Sequence, residues 1–165
     1  VSAPTVDAAA FKAVMRRHPN GVTVVTSVRE SEPRGITLTA FASVSADPPT
    51  VLICVNREAR SYLYISTSRI FCVNLLAASQ RNLAERFSGR IKEHQFDGID
   101  YETDITGAPV LGGTIGHFDC LVLHEHHVSS HSIFIGHVLS CAARPGNPLG
   151  YYESAFHDFG PRTRE

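Results

Sequence analysis

The sequence has no tryptophan, one methionine, no Cys-x-x-Cys pair among its four cysteines, and only 19% charged residues. Each scarcity excludes something. Cys54, Cys72, Cys120 and Cys141 lie singly in apolar runs, so a zinc cluster or disulfide framework lacks its spacing, and buried, reduced thiols are expected. Lysine plus arginine number 15 against 16 aspartates and glutamates, giving a formal charge of -1 with no dense basic block. A nucleic acid or an anionic membrane therefore has no electrostatic footprint to bind. No apolar run approaches the roughly 18 residues of a spanning helix, and no basic-apolar-small leader precedes residue 20, so a cytoplasmic protein is expected. GxGxxG, GxxxxGK[ST] and GxSxG are all missing; Gly107, Gly112, Gly113 and Gly116 read as turn residues. So few charges on 165 residues hint at self-association.

What is present reads as one domain over residues 1–165, with its core at about 11–156 and a fraying tail at 157–165. Thr5 is placed to cap a helix in which Phe11, Val14, Met15 and His18 form one apolar stripe, ended by Pro19-Asn20-Gly21. His18 suits the C-terminal end of that helix dipole better than it suits catalysis. VTVVTSV, the charged turn RESEPRG and the following run make a hairpin. REARSYLYISTS gives one or two helical turns, in which Ser61 is either a local cap or an anion donor. IFCVNLL is a core strand whose Asn74 needs a partner, backbone or ligand. Ser79 is the expected cap of the helix SQRNLAERF, and the polar excursion up to Gly113 reads as a wall or lid. IGHFDCLVLHEHHV and SIFIGHVLSCA form a long hairpin, with Phe118, Cys120, Val122, His124 and His126 on one parity.

The most distinctive stretch is RGITLTAFASVSADPPTVLICVN, residues 34–56. Thr37, Thr39, Phe41, Ser43 and Ser45 share one parity and Ile36, Leu38, Ala40, Ala42 and Val44 the other, ahead of a Pro-Pro turn and an apolar run. Short hydroxyl side chains leave the backbone approachable, and a flat cofactor with a phosphate is one reasonable guest; an ordinary half-buried strand is the other reading. Of nine histidines, His117, His124, His126, His127, His131 and His137 crowd into one region, but HEHH is not the helical zinc signature, and no metal is expected. An interfacial or solvent-facing cluster with some pH sensitivity is the simpler reading.

Taken in order, the pieces NGVTVVTS, GITLTAFASVSADPP, CVN, FCVNLLAASQRNLAERFSG, FDG, GAPVL, HSIFIGHV and PLGYY resemble the small flavin reductases that serve two-component flavin monooxygenases. The likeness runs from about Phe11 to Phe156. It implies a mainly β fold, a flavin-binding split β-barrel that is antiparallel and Greek-key-like with peripheral helices. It also implies FMN or FAD as cofactor, NADH or NADPH as reductant, a homodimer, and a reduced-flavin-dependent monooxygenase as partner.

By the same resemblance, Thr37, Leu38, Thr39 and Ala40 run beside the isoalloxazine. Ser43, Val44, Ser45, Asn56 and Ser61, with Arg86, Phe87 and Ser88, hold the ribityl and phosphate parts. Arg86 is either a phosphate contact or a surface ion-pair member. Tyr152 of PLGYY joins the cofactor contacts, and His131 is the residue expected to position the nicotinamide. Family members commonly carry Gly-Asp-His at that loop, where this chain has Ser129-Ser130-His131. The altered loop also leaves room for a non-enzymatic flavin-binding or electron-relay protein on the same fold.

Overall fold

The computed structural model describes residues 5–91 and 93–161. In order, the elements are α1 (Ala8–Met15), β1 (Asn20–Gly21), β2 (Thr23–Arg29), β3 (Glu32–Leu38), β4 (Phe41–Ala46), β5 (Pro49–Asn56) and α2 (Arg60–Ser68). There follow β6 (Ile70–Leu75), a 3-10 turn (Ala78–Gln80), α3 (Arg81–Arg86), β7 (Tyr101–Thr103), β8 (Pro109–Leu111), β9 (Gly116–Val128), β10 (His131–Ala143), β11 (Leu149–Tyr152) and β12 (Ala155–Asp158). A seven-stranded antiparallel sheet has the order β3-β2-β6-β9-β10-β5-β4, flanked by β1-β11-β12 and by the ribbon β7-β8.

The expected closed barrel is corrected by this topology. The fold is mixed α/β, with several antiparallel sheets and peripheral helices, and no sheet closes. The large sheet keeps two edges, β3 and β4, with no ladder between them among the described residues. Closure needs the outward amides of β3 to meet another strand. Instead the Thr37 amide donates to the Phe87 carbonyl at 2.9 Å and the Thr37 hydroxyl to the Ala84 carbonyl at 2.7 Å, so the end of α3 covers that edge. The β4 edge is broken by a register shift between Ser43 and Ser45. Alternation along a strand reports one buried face, which an open sheet and a barrel share.

The main core gathers Val25, Ile53, Val55, Phe71, Val73 and Phe134, all fully buried. Each contributes about 1.5–3 kcal/mol by leaving water. A second cluster, including Val24, Leu76, Phe87 and Leu149, ties α3 and β11 to the sheet. Asn74 finds its partner in the backbone. Its amide donates to the carbonyls of Val24 (3.1 Å) and Pro109 (3.3 Å), and its oxygen accepts from Leu111 N at 2.8 Å, which holds the β7-β8 ribbon against β6.

Other local expectations are corrected. The cap of α1 is Asp7, whose carboxylate accepts from Ala10 N at 2.8 Å, rather than Thr5. The Phe11, Val14 and Met15 stripe is present but unburied, at 61%, 71% and 45% exposure. Ser79 lies inside the 3-10 turn, and α3 begins only at Arg81; Gln80 Oε1 accepts from Ala77 N at 3.0 Å. Cys72 and Cys120 are buried as expected, Cys54 is half-buried, and Cys141 is exposed, because it lies on the solvent-facing end of β10. All four are free thiols, and burial pushes those of Cys54, Cys72 and Cys120 up, away from nucleophilic thiolate.

The long hairpin contains a parity change that alternation does not reveal. Val122 pairs with Gly136 but His124 with Ile135, so Leu123 is an extra residue. Beyond it, His124 and His126 leave the side of Cys120 and Val122, and Glu125 turns inward. Its carboxylate accepts from Ser66 Oγ at 2.9 Å and lies 3.6 Å from Arg69 Nη1 and 3.1 Å from His127 Nε2. Burial alone would raise the Glu125 carboxyl, but the hydrogen bonds from Ser66, Tyr62 and His127 outweigh it and hold the group below its ordinary value. Such a carboxylate stabilises the fold above its unfolded pKa of about 4.3. That contribution is lost as pH falls through the lower folded value. Glu125→Gln is expected to lower the melting temperature at pH 7 and to reduce the drop between pH 7 and strongly acidic buffer, measured by thermal denaturation across that range.

Candidate functional site

Between β3 and β4 the chain turns a corner at Thr39-Ala40, both exposed. The two carbonyls are used inside the fold, accepting from Phe41 N at 3.0 Å and Cys54 N at 3.1 Å. Thr39 borders two depressions that share Asn20. One, of about 260 Å³, is walled by Lys12, Met15, His18 and Tyr152. The other, of about 320 Å³, is walled by Pro19, Phe41, Leu75 and Leu149. The end of α1 is held over this corner cleft by the Arg17–Glu153 ion pair at 2.6 Å and by Glu153 N donating to the Arg16 carbonyl at 3.1 Å. This gives the solvent-exposed face of α1 a position beside the cleft.

A few residues earlier on β3 lies a second cavity of about 230 Å³, lined by Gly35, Ile36, Ala59, Arg60, Ser61 and Phe87. Ser61 is 4% exposed and donates to the Gly35 carbonyl at 3.0 Å. A Cβ on Gly35 would stand 2.6 Å from the Phe87 ring, so glycine is what permits the close approach. The turn into α2 is organised by Asn56, whose Oδ1 accepts from Glu58 N at 2.9 Å and whose carbonyl accepts from Ala59 N at 3.0 Å. Ala59 caps α2 without a side-chain acceptor, so the positive end of the helix opens onto the cavity. From Ile36 to Thr39 is three strand steps, about 10 Å. One strand end thus joins an anion-favouring cavity to a partly apolar cleft, which suits a flat ring with a phosphorylated tail.

The residues expected from sequence divide accordingly. Thr39 and Tyr152 line the corner cleft, and Ser61 and Phe87 line the tail cavity. Thr37 has its amide and hydroxyl committed to α3, and Leu38 packs against the main core. Ser43, Val44 and Ser45 are exposed on the β4 edge and line neither cavity; the Ser45 hydroxyl donates to the Asp47 carbonyl at 3.0 Å. Asn56 shapes the turn rather than lining a cavity. Ser88 donates to the Glu85 carbonyl at 2.7 Å and ends α3. His131 is exposed at the start of β10, opposite Asn56, with Nδ1 2.9 Å from Ser130 Oγ, outside both cavities.

Arg86 binds backbone. Its guanidinium donates to the carbonyls of Gln95 (2.6 Å), Asp97 (2.7 Å) and His94 (3.1 Å), fastening the wall over the tail cavity. Neither the phosphate contact nor the surface ion pair describes this. Arg86→Ala is expected to raise the rate of limited proteolysis within 89–98 at least fivefold while the melting temperature falls by only a few degrees; cleavage sites mapped by mass spectrometry check it. Sequence reasoning missed Gly35, Arg34 and Gln95 on the cavity wall, and Asn20 at the cleft. RGITLT and QFDG offered the residues, but only folding brings Gln95 to within 3.4 Å of Arg34. Among the described residues no group of three metal-binding side chains converges.

An open antiparallel sheet whose strand corner lies between a cleft and a tail cavity leaves room for a phosphorylated aromatic cofactor. Residues 15–160 match the model of the flavin reductase like domain, and the chain belongs to that family. It is 34% identical over 162 residues to the reductase subunit HsaB of a flavin-dependent monooxygenase from Rhodococcus jostii, covering 98% of this chain and 83% of that protein. It is 36% identical over 149 residues to the NADH-dependent FMN reductase SmoA of Agrobacterium fabrum, covering 90% and 84%. The crystal structure of the NADH:FAD oxidoreductase SgcE6 of Streptomyces globisporus, in complex with NAD and FAD fragments, superposes with a TM-score of 0.89 at 32% identity, covering 98% of this chain and all of that one. The chain is thus homologous to NAD(P)H-dependent flavin reductases, enzymes that deliver reduced flavin to monooxygenases.

Proposed function

We propose that this protein works as a homodimeric flavin reductase that takes hydride from NADH or NADPH and releases reduced FMN or FAD to a partner monooxygenase. The observation that carries the reading is the run of β3 from the tail cavity to the corner cleft. The residues fit the group: the bare Gly35 backbone, the Ser61 turn and the uncapped α2 end accept a phosphate, while Thr39 and Tyr152 flank room for a ring. When bound, the flavin supplies the acceptor for a hydride from the nicotinamide. The chain's own part is binding, orientation and exclusion of water. The corner at Thr39-Ala40 sets the ring plane, the turn from Asn56 to Ser61 anchors the tail, and the Arg86-held wall closes over it.

The homodimer is supported by the outer face of β9, β10 and β5. Ladder partners share a face, so Leu52 and Ile135 lie with His124, Cys54 and Ile133 with His126, and His137 with Leu121. Leu121 and Leu123 are 41% and 44% exposed on this side of the molecule. A sheet face that mixes exposed leucines with isoleucines and histidines is the sort of surface a second copy covers.

Anaerobic mixing with flavin and NADH or NADPH should bleach the flavin's visible absorbance, and sedimentation velocity should give a dimer. No acceleration with either nicotinamide would overturn the catalytic reading; flavin held tightly without turnover would point to the relay protein instead. His131→Ala is expected to raise the KM for nicotinamide or slow reduction by about tenfold, with less than a threefold change in flavin Kd. Steady-state kinetics beside flavin titration check this, and unchanged kinetics would remove His131 from the site.

A further inference from the structure

The tail cavity does not end at the phosphate position. Arg34, Arg60 and Gln95 belong equally to a larger adjoining cavity of about 470 Å³, whose far walls carry Glu32, Glu93 and Asp97. The two arginines therefore stand at the seam between the spaces, one on β3 and one on the first turn of α2. Arg34 is pre-positioned there: its guanidinium lies 5.4 Å from the Tyr64 ring centre, and its Nη1 lies 3.4 Å from Gln95 Oε1. The outer wall is held by Arg86 through the carbonyls of residues 94, 95 and 97.

Resting on the flavin reading above, we infer that the outer cavity is an adenosine subsite and that this chain prefers FAD to FMN. Two guanidinium groups at a seam match a diphosphate, with one phosphate in the tail cavity and the next passing outward. The space beyond the seam then matches what FAD carries and FMN lacks. FMN ends in a phosphomonoester, which carries about -1.5 to -2 near neutral pH. That phosphate would end in the tail cavity beside Glu58 and engage the arginine seam from one side only. In FAD a similar charge is divided over two phosphates, one for each side of the seam, and the adenosine that reaches Glu32, Glu93 and Asp97 is neutral. Ribose hydroxyls and the adenine amino group are hydrogen-bond donors, for which carboxylates are suitable acceptors. Two of the acids already have partners, since Glu32 accepts from the Tyr64 hydroxyl at 3.0 Å and Asp97 lies 3.4 Å from His94. The Tyr64 bond holds the Glu32 carboxylate at the cavity wall.

The test compares FAD, FMN and riboflavin on the full chain, by equilibrium titration and by KM under saturating NADH. FAD is expected to bind at least tenfold tighter than FMN. Arg60 is exposed, so Arg60→Gln should fold, and it is expected to narrow the FAD-to-FMN ratio at least fivefold. Equal or tighter binding of FMN by the wild-type protein, or an unchanged ratio in the variant, would overturn the inference. Failure to bind or reduce any of the three flavins would overturn the flavin reading itself, a different result from loss of preference.

Discussion

Gly35→Ala is expected to weaken flavin binding at least tenfold and to lower stability by about 1–3 kcal/mol, the usual range for overpacking. The added methyl would lie 2.6 Å from Cδ1 and 2.8 Å from Cε1 of Phe87, inside van der Waals contact. The ring has little room to yield. Phe87 is fully buried and packs edge-on against Phe96 at 5.1 Å, which in turn meets Tyr101 at 5.4 Å. Phe87 also lines the tail cavity, so any shift that relieves the clash changes the site as well as the core. Denaturant unfolding and flavin titration measure the two effects separately. For stability, Gly21→Ala is the control, because nothing lies within 4 Å of its added Cβ and the residue is exposed. Equal behaviour of the two variants would refute the packing account.

The second large effect is expected from Asn74→Leu, at about 3 kcal/mol or more. Leucine is close in size to asparagine but offers no polar atoms. Substitution leaves the Leu111 amide and the Val24 and Pro109 carbonyls with a lost partner in a site that is fully buried. Buried unsatisfied groups cost about 1–3 kcal/mol each, partly relieved by relaxation. Thr26 lessens the damage, since its hydroxyl donates to the Pro109 carbonyl at 2.5 Å. The loss should concentrate where Asn74 binds, on the β7-β8 ribbon. Hydrogen exchange at the Leu111 amide is expected to accelerate by at least a hundredfold relative to wild type, while amides in β5 slow or quicken only with global stability. Protection of Leu111 equal to wild type would show that the ribbon does not hang on this side chain.

These two positions also mark how far the chain could be read before folding. Asn74 announced itself, because a polar amide in the apolar run IFCVNLL has to be satisfied somewhere. Which groups satisfy it was not legible, since Leu111 lies 37 residues away and comes into range only when β8 docks. Gly35 gave no signal beyond its place in RGITLT. Its importance comes from the aromatic ring of Phe87, just after α3, a contact with no local pattern in either segment.

The parity change at Leu123 shows the same limit within a single strand. Strict alternation carries His124 and His126 to the face of Cys120 and Val122, and one bulged residue sends them to the other. A bulge is a compromise between two neighbouring strands. β9 is held by β6 on one side and β10 on the other, and the sequence of β9 alone does not record where their registers disagree.

What the sequence determined by itself was the long strands of the main sheet, the antiparallel hairpins, the absence of nucleotide-loop and metal motifs, and, through ordered motifs, the kinship with flavin reductases. These are properties of short windows and their order. What tertiary structure decided was that the sheet stays open, that Arg86 holds a loop instead of facing solvent, and that Ser43, Val44, Ser45 and His131 lie outside the cavities of one chain. Each is settled by which of several possible partners reaches a backbone group or side chain first. The Thr37 amide illustrates the reason: any strand edge must be satisfied, and α3 arrives where a closing strand was expected.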